Sequence, residues 1–315
     1  MRLHIFHTPP PAEIGAALEE FETQFRYPLG DEQSFSISHG RDYITFFTAI
    51  GEPTLVVAEH RGRILGTISA AMRTLRFPDG TERKVAYIGD LKISPGARGG
   101  VVLGRILETM HTTLAGPANG IAYGVVMDGT GRIPPNYTGR IGVPTFSEVG
   151  RVCILKAATA GCAKPARGID EIAPDEWARV HERIAPNGFL PFGGDPALRS
   201  AMKPFHLASA SRNAVGRIED TRLAKRLFIS PDNEIRAAHL TGFAFATAAD
   251  GAELFQRAAT ICAEQNIPTL FAAVPESSAA AMQTAMGNAE VLFVTATVFG
   301  CGLRAGDWWV DTAEI

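Results

Sequence analysis

Residues 89–107, GDLKISPGARGGVVLGRIL, hand an apolar strand over to a helix through a proline, an arginine and paired glycines. The flanks of this junction narrow the choice of fold. Upstream, TLVVAE (54–59), ILGTISAAMRTLRF (64–77) and KVAYIGDLKIS (84–94) read as three strands, with HRGR and PDGTER as the turns between them. Downstream, Leu103, Ile106, Leu107, Met110 and Leu114 share one helical face. GPANG (116–120) ends that helix, and IAYGVVM (121–127) is a compact apolar strand. An antiparallel meander, a helix and a further strand imply an α/β fold with a mixed sheet, of the α+β kind.

A similar order comes round again. After a strand at 149–157, the segment ATAGCAKPAR (158–167) has the small, flexible composition of a linker. Beyond it, residues 217–229 and 234–246 read as paired strands around SPDN, 251–266 as a helix, 267–274 as a strand and 277–286 as a short helix. Strands at 289–299 and 308–315 close the chain. Ahead of the first meander lie a short strand (2–7) and an amphipathic helix (11–26). The expectation is two tandem units, 1–160 and 168–315. The 315 residues suit about two domains.

Composition excludes several classes of partner. A net charge of −3 with 46% hydrophobic residues gives no reason to expect nucleic acid or an anionic membrane. The N-terminus reads as no signal peptide, and the longest nearly apolar run, residues 291–303, is too short for a spanning helix. Cys153, Cys162, Cys262 and Cys301 form no CxxC pair, so free thiols in a cytoplasmic protein are expected. The eight histidines show no ligand spacing, and no metal is expected.

A tight loop before a helix N-terminus can aim several main-chain N–H groups at one anion, best a phosphate or pyrophosphate. Gly99 and Gly100 permit close backbone approach, and Arg98 adds charge. A plain strand-to-helix turn is the alternative for a bare RGG. GxGxxG after a first parallel strand and GKS or GKT are both missing, which excludes the Rossmann and P-loop cradles.

Ile93, Pro95, Arg98 and Gly99 fall on the motif V-x-P-x-x-R-G-x-G-x-G. With the meander before it, this stretch resembles the acetyl-CoA motif of the GCN5-related N-acetyltransferase (GNAT) superfamily. The motif's later glycines fall on Val101 and Leu103, whose amides can still donate. The resemblance covers roughly residues 54–157; the second half shares only element order. It implies a V-shaped opening between strands 84–94 and 121–127. The pantetheine of acetyl-CoA would lie along Leu91, Lys92 and Ile93, and its pyrophosphate over Arg98, Gly99, Gly100, Val101, Val102, Leu103 and Gly104. At the matching junction of the second half stands Asp250, which opposes a pyrophosphate, so only the first half is expected to bind CoA.

Acetyl transfer to an amine needs a base for the amine, a donor for the oxyanion and an acid for the departing thiolate. By the resemblance, Tyr137 in PPNYTGR is the candidate acid and Asp90 the candidate base; Asp128 is a further one. A packed loop aromatic and a hydrogen-bonded strand carboxylate are the structural alternatives. In a regular strand Tyr87 and Asp90 face opposite ways, which a bulge would change. The implied activity is transfer of acetyl from acetyl-CoA to a small-molecule or peptide amine. The competing expectation is a non-catalytic GNAT-like module that binds acyl-CoA or an amine metabolite.

Overall fold

The computed structural model describes residues 1–29, 33–97, 100–140, 142–160, 168–184, 187–230, 233–287 and 289–315. Up to residue 160 the chain runs β1 Arg2–Phe6, α1 Ala12–Glu22, β2 Tyr27–Leu29, β3 Gln33–Ser38, α2 Thr45–Thr48, β4 Glu52–His60, β5 Arg63–Arg76, β6 Glu82–Ile93, α3 Val101–Leu114, β7 Ala122–Met127 and β8 Ser147–Ala158. From 168 it runs β9 Ile169–Glu171, α4 Pro174–Ile184, β10 Leu190–Phe192, β11 Phe205–Ser209, β12 Ala214–Glu219, β13 Arg226–Ser230, β14 Asn233–Glu234, β15 Ala237–Phe245, α5 Ala248–Glu264, β16 Thr269–Pro275, α6 Glu276–Met286 and β17 Val291–Cys301. No described helix is long and apolar enough to cross a membrane.

The strands that lead to the site are buried on both faces. In β4, Leu55 and Val57 pack with α1 and α2, while Val56 and Ala58 pack under α3. That is why TLVVAE reads as a continuous apolar run rather than an alternating one. PDGT closes the β5–β6 hairpin as expected: Phe77 N–H donates to Thr81 O (2.8 Å), and Asp79 accepts from Thr81 N–H (3.0 Å). In α3 the buried stripe is Val102, Ile106, Leu107, Met110 and Leu114, with Leu103 only partly buried. The core-facing stripe is therefore offset at its first turn from the one the spacing suggests.

One 13-stranded sheet runs through the whole chain in the order β1-β4-β5-β6-β7-β17-β8-β16-β15-β12-β11-β9, with β10 against β5. Its centre is an exchange. The last strand of residues 168–315, β17, lies against β7; the last strand of 1–160, β8, lies against β16. Those two strands also pair with each other along most of their length. Each half thus completes the sheet of the other. Both halves repeat one irregularity: register slips by a residue between β5 and β6 at Thr67/Ser69, and between β12 and β15 at Val215/Arg217.

Two segments differ from the sequence reading. Residues 217–229 are not one strand. The chain leaves the large sheet after β12, and β13 joins β14, β3 and β2 in a separate 4-stranded sheet, so β12 pairs with β15 instead. Residues 308–315 are not a strand either. Trp308 makes an isolated bridge to Phe189, stacks on its ring and has Tyr123 tilted against it, fully buried; Thr312–Glu314 form a 3-10 turn. Apolar density there serves the core between the halves, where a strand and an irregular plug look alike in sequence. Cys153, Cys262 and Cys301 are buried free thiols, and Cys162 lies outside the described residues.

Candidate active site

The site begins where β6 and β7 part. They pair in parallel only at Ala86–Ala122 and Tyr87–Tyr123. Gly124 lets β7 come this close: a Cβ there would stand 2.6 Å from Ile88 O. Past that point the β6 edge facing β7 has no strand on it, so its main-chain groups are open to another partner.

A cavity of about 790 Å³ occupies the gap and reaches both faces of the sheet. On the α3 face it is lined by Ile68, Ala86, Ile88, Leu107, Met110, Leu114 and Tyr137, an apolar arm with His111 beside it. On the opposite face lie Phe46, Phe47, Ile154, Phe271 and Val294. Phe35 and Ile37 of β3 and Leu227 of β13 line it from the small sheet, so that sheet borrows strands from both halves to close the cavity over.

At the parting point sits a dense ionic cluster. Asp90 has φ +52°, the left-handed region an aspartate tolerates better than most residues. This is the bulge of β6, and it turns Asp90 to the same face as Tyr87. Its carboxylate accepts from Tyr43 Oη (3.0 Å), pairs with Lys92 Nζ (3.1 Å) and lies 3.3 Å from His39 Nε2. Glu22, on α1, accepts from Lys92 Nζ (2.7 Å), from His39 N–H (2.7 Å) and from His39 Nδ1 (2.7 Å). Burial alone would raise the Asp90 carboxyl, but Lys92 and His39 outweigh it and hold the group down at about 2. Burial likewise works against the Glu22 carboxylate, and His39 and Lys92 keep it below its usual range. Lys92 shows the mirror effect: burial opposes its charge, Asp90 restores it, and its ammonium stays protonated well above the ordinary range.

Glu22, His39 and Asp90 are the one convergent set of metal-type donors among the described residues, within 4.8 Å of one another. Lys92 touches both carboxylates, so an ammonium already supplies the cation there.

The named candidates divide as follows. Asp90, Leu91, Lys92, Ile93 and Tyr137 all line the cavity. Burial pushes the Tyr137 hydroxyl up to about 12, so it carries its proton at neutral pH. Gly100, Val101, Val102, Leu103 and Gly104 do not line it; they form the start of α3, outside the gap. Gly100 is the N-cap, at φ +85° and without a side-chain cap, which leaves the first amides of α3 free of intrahelical partners. Gly104 N–H is different: it donates to Gly100 O (2.9 Å) inside the helix. Arg98 and Gly99 lie outside the described residues. Asp128 is held by Arg151 (2.7 Å) and Thr297 (2.8 Å) and is not in the lining. Sequence reasoning missed Glu22, His39 and Tyr43, which come to Asp90 from the end of α1, the residue after β3 and the turn before α2. His39 offered only a lone histidine as a signal.

The second half keeps the same opening but fills it. Gly242, at φ +52°, marks its bulge, and β15 pairs with β16 over three residues before parting. Gly242 N–H donates to Asp311 (2.7 Å), and Thr312 Oγ1 meets His239 Nδ1 (2.9 Å). The C-terminal segment therefore occupies the main-chain donor at that bulge. At the start of α5 the Thr247 side chain caps Asp250 N–H.

No family model matches the chain, and no curated protein matches it in sequence. Solved structures do match. N-myristoyltransferase from Saccharomyces cerevisiae with bound myristoyl-CoA is similar at a TM-score of 0.62 and 9% identity, over 96% of this chain and 83% of that one. A GCN5-related N-acetyltransferase from Anabaena variabilis matches at 0.55 and 11%, over 95% of this chain and 72% of that one. A probable N-acyltransferase from Enterococcus faecalis matches at 0.51 and 11%, with the same two coverages.

Proposed function

Starting from a chain with the GCN5-related N-acetyltransferase fold, we propose that this protein is an acyl-CoA-dependent N-acyltransferase acting on an amine. One observation carries the reading: the gap between β6 and β7 opens, at a bulge bearing Asp90, into a cavity that passes through the sheet. A cosubstrate can enter from the α3 side and an acceptor from the other, meeting at the parted strands. The pantetheine would hydrogen-bond the free β6 edge at Leu91, Lys92 and Ile93. Its pyrophosphate would take the first amides of α3, from Gly100 to Leu103, with Arg98 and Gly99 beside them.

In this reading the amine nitrogen attacks the thioester carbonyl carbon, the C–S bond breaks, and an amide and CoA result. Asp90 is ionised at every ordinary pH and accepts an N–H of the incoming amine. A carboxylate held near 2 is a weak base, so Asp90 orients the amine and the proton passes on to water in the cavity. Tyr137, still protonated, gives its proton to the departing thiolate. The chain divides at 1–160, which takes the CoA, and 168–315, whose own opening is plugged by Asp311 and Thr312.

Acetyl is the acyl group the sequence motif suggests. The α3-face arm favours a longer one: Ile68, Leu107, Met110 and Leu114 give it far more apolar wall than two carbons need. The test is CoA release from an acyl-CoA series, from acetyl to myristoyl, with a panel of amines. Saturable acyl-CoA binding with turnover is expected. Binding without release by any amine would instead support a regulatory binding module.

A further inference from the structure

The cavity is electrostatically lopsided. Asp90 is the only side-chain carboxylate among its lining residues, and Lys92 and His39 already match it. Opposing it are Arg26, Arg132, Lys156 and Lys225. Most of these cations are accounted for. Arg26 donates to Ser34 O and Ile229 O; Lys225 donates to the main-chain oxygens of Ala313 and Ile315; Arg132 stands exposed after β7. Lys156 has no hydrogen-bond or ion-pair partner among the described residues, yet it is half-buried at the middle of the sheet. On β8 it stands opposite Leu292 of β17 and Phe271 of β16, and His239 stacks on Phe271 (5.6 Å). Ile154, two residues along, shares its face. An unmatched cation on an apolar floor is an anchor for an anion that also carries apolar surface.

Its place in the sheet separates it from the cosubstrate. β8 lies two strands beyond β7, about 10 Å at ordinary strand spacing, on the face away from α3. A lysine side chain spans part of that distance toward the gap.

Resting on the acyltransferase reading, we propose that the acceptor is a carboxylate-bearing amine with an apolar body, an amino acid or short peptide, whose carboxylate pairs with Lys156 while its amine meets Asp90. Polyamines and other polycations are disfavoured by the same charges.

Calorimetry in the presence of CoA tests this with phenylalanine and Gly-Phe, their C-terminal amides, and spermidine. The free acids should bind roughly 10- to 100-fold more tightly than the amides, as for loss of a charge-assisted hydrogen bond. Lys156→Gln should abolish that preference and Lys156→Glu reverse it. Thermal midpoints should change little, because no hydrogen bond or ion pair of the described residues depends on Lys156. Equal binding of acids and amides, tighter binding of spermidine, no binding of any acid, or an acid preference that survives both variants would each overturn the assignment. Acid-selective binding without CoA release from any acyl-CoA would overturn the acyltransferase reading and leave the assignment of Lys156 standing.

Discussion

At Asp90, position along the chain and position in space carry different information. Its place on β6, five residues before the proline, was visible in sequence, and so was Tyr137 after β7. The partners that define Asp90 were not. Glu22, His39 and Tyr43 are 68, 51 and 47 residues away by number, and only the packing of α1 and β3 on the sheet brings them together. The two candidates can be separated by kinetics. Asp90→Asn keeps the bulge, because asparagine tolerates the left-handed region. It should cut turnover about 100-fold or more while acyl-CoA binding changes little. Tyr137→Phe should lower turnover by a similar factor with thiol-ester substrates, and less with an acyl donor whose leaving group is already acidic. Steady-state kinetics with both donor types checks the pair; equal losses with both donors would remove Tyr137 as the acid.

The elements show how a gap is held open. Residues 84–94 and 121–127 were legible as strands from their apolar runs; an opening between them was expected only through the family resemblance, and the point at which they part, after two paired residues, was not legible. Parting is a matter of register and of Gly124 against Ile88 O, where a Cβ at 2.6 Å has no room. Gly124→Ala should push β7 away at its paired end, lowering thermal stability and weakening acyl-CoA binding together, as calorimetry and a melting curve would record. In α4, His181 stacks on Trp177 (4.9 Å). Burial, with Arg217 and Arg76 nearby, holds its pKa down to about 4 against an ordinary 6.5. The unfolded chain therefore takes up the proton first as pH falls. Stability linked to His181 is fully present above 6.5 and is lost as pH falls through about 4, by up to about 3 kcal/mol. His181→Gln should flatten the stability profile between those pH values; denaturant midpoints from pH 4 to 7 measure it.

At the scale of the molecule, the halves cannot be peeled apart. β17 stands between β7 and β8, and β8 between β17 and β16, so each half lacks a central strand without the other. Glu314 adds to the tie, bonded to Arg73 of β5 and to Arg199 (3.2 Å), which also bonds Glu219 of β12 (2.7 Å). A chain cleaved within 161–167 should still elute as one particle under native conditions, and each half expressed alone should fail to fold until mixed. Independent folding of residues 1–160, seen as a sharp melting transition, would contradict this. With Asp311 and Thr312 filling the second opening, one CoA should bind per chain, read as calorimetric stoichiometry.

Local matters were legible in the amino-acid order: the strands and α3, whose apolar patterns follow from burial on one or both faces, the hairpin at PDGT, the amides at the start of α3, and, through the family resemblance, Asp90 and Tyr137 as candidates. Tertiary structure alone decided the exchange of β8 and β17, the departure of β13 to a second sheet, the plug at 308–315 and the ionic cluster around Asp90. The physical reason is reach. Pattern and turn chemistry act over a few residues, while register, pairing partner and a shared cavity depend on contacts between segments tens to hundreds of residues apart, which no local period encodes.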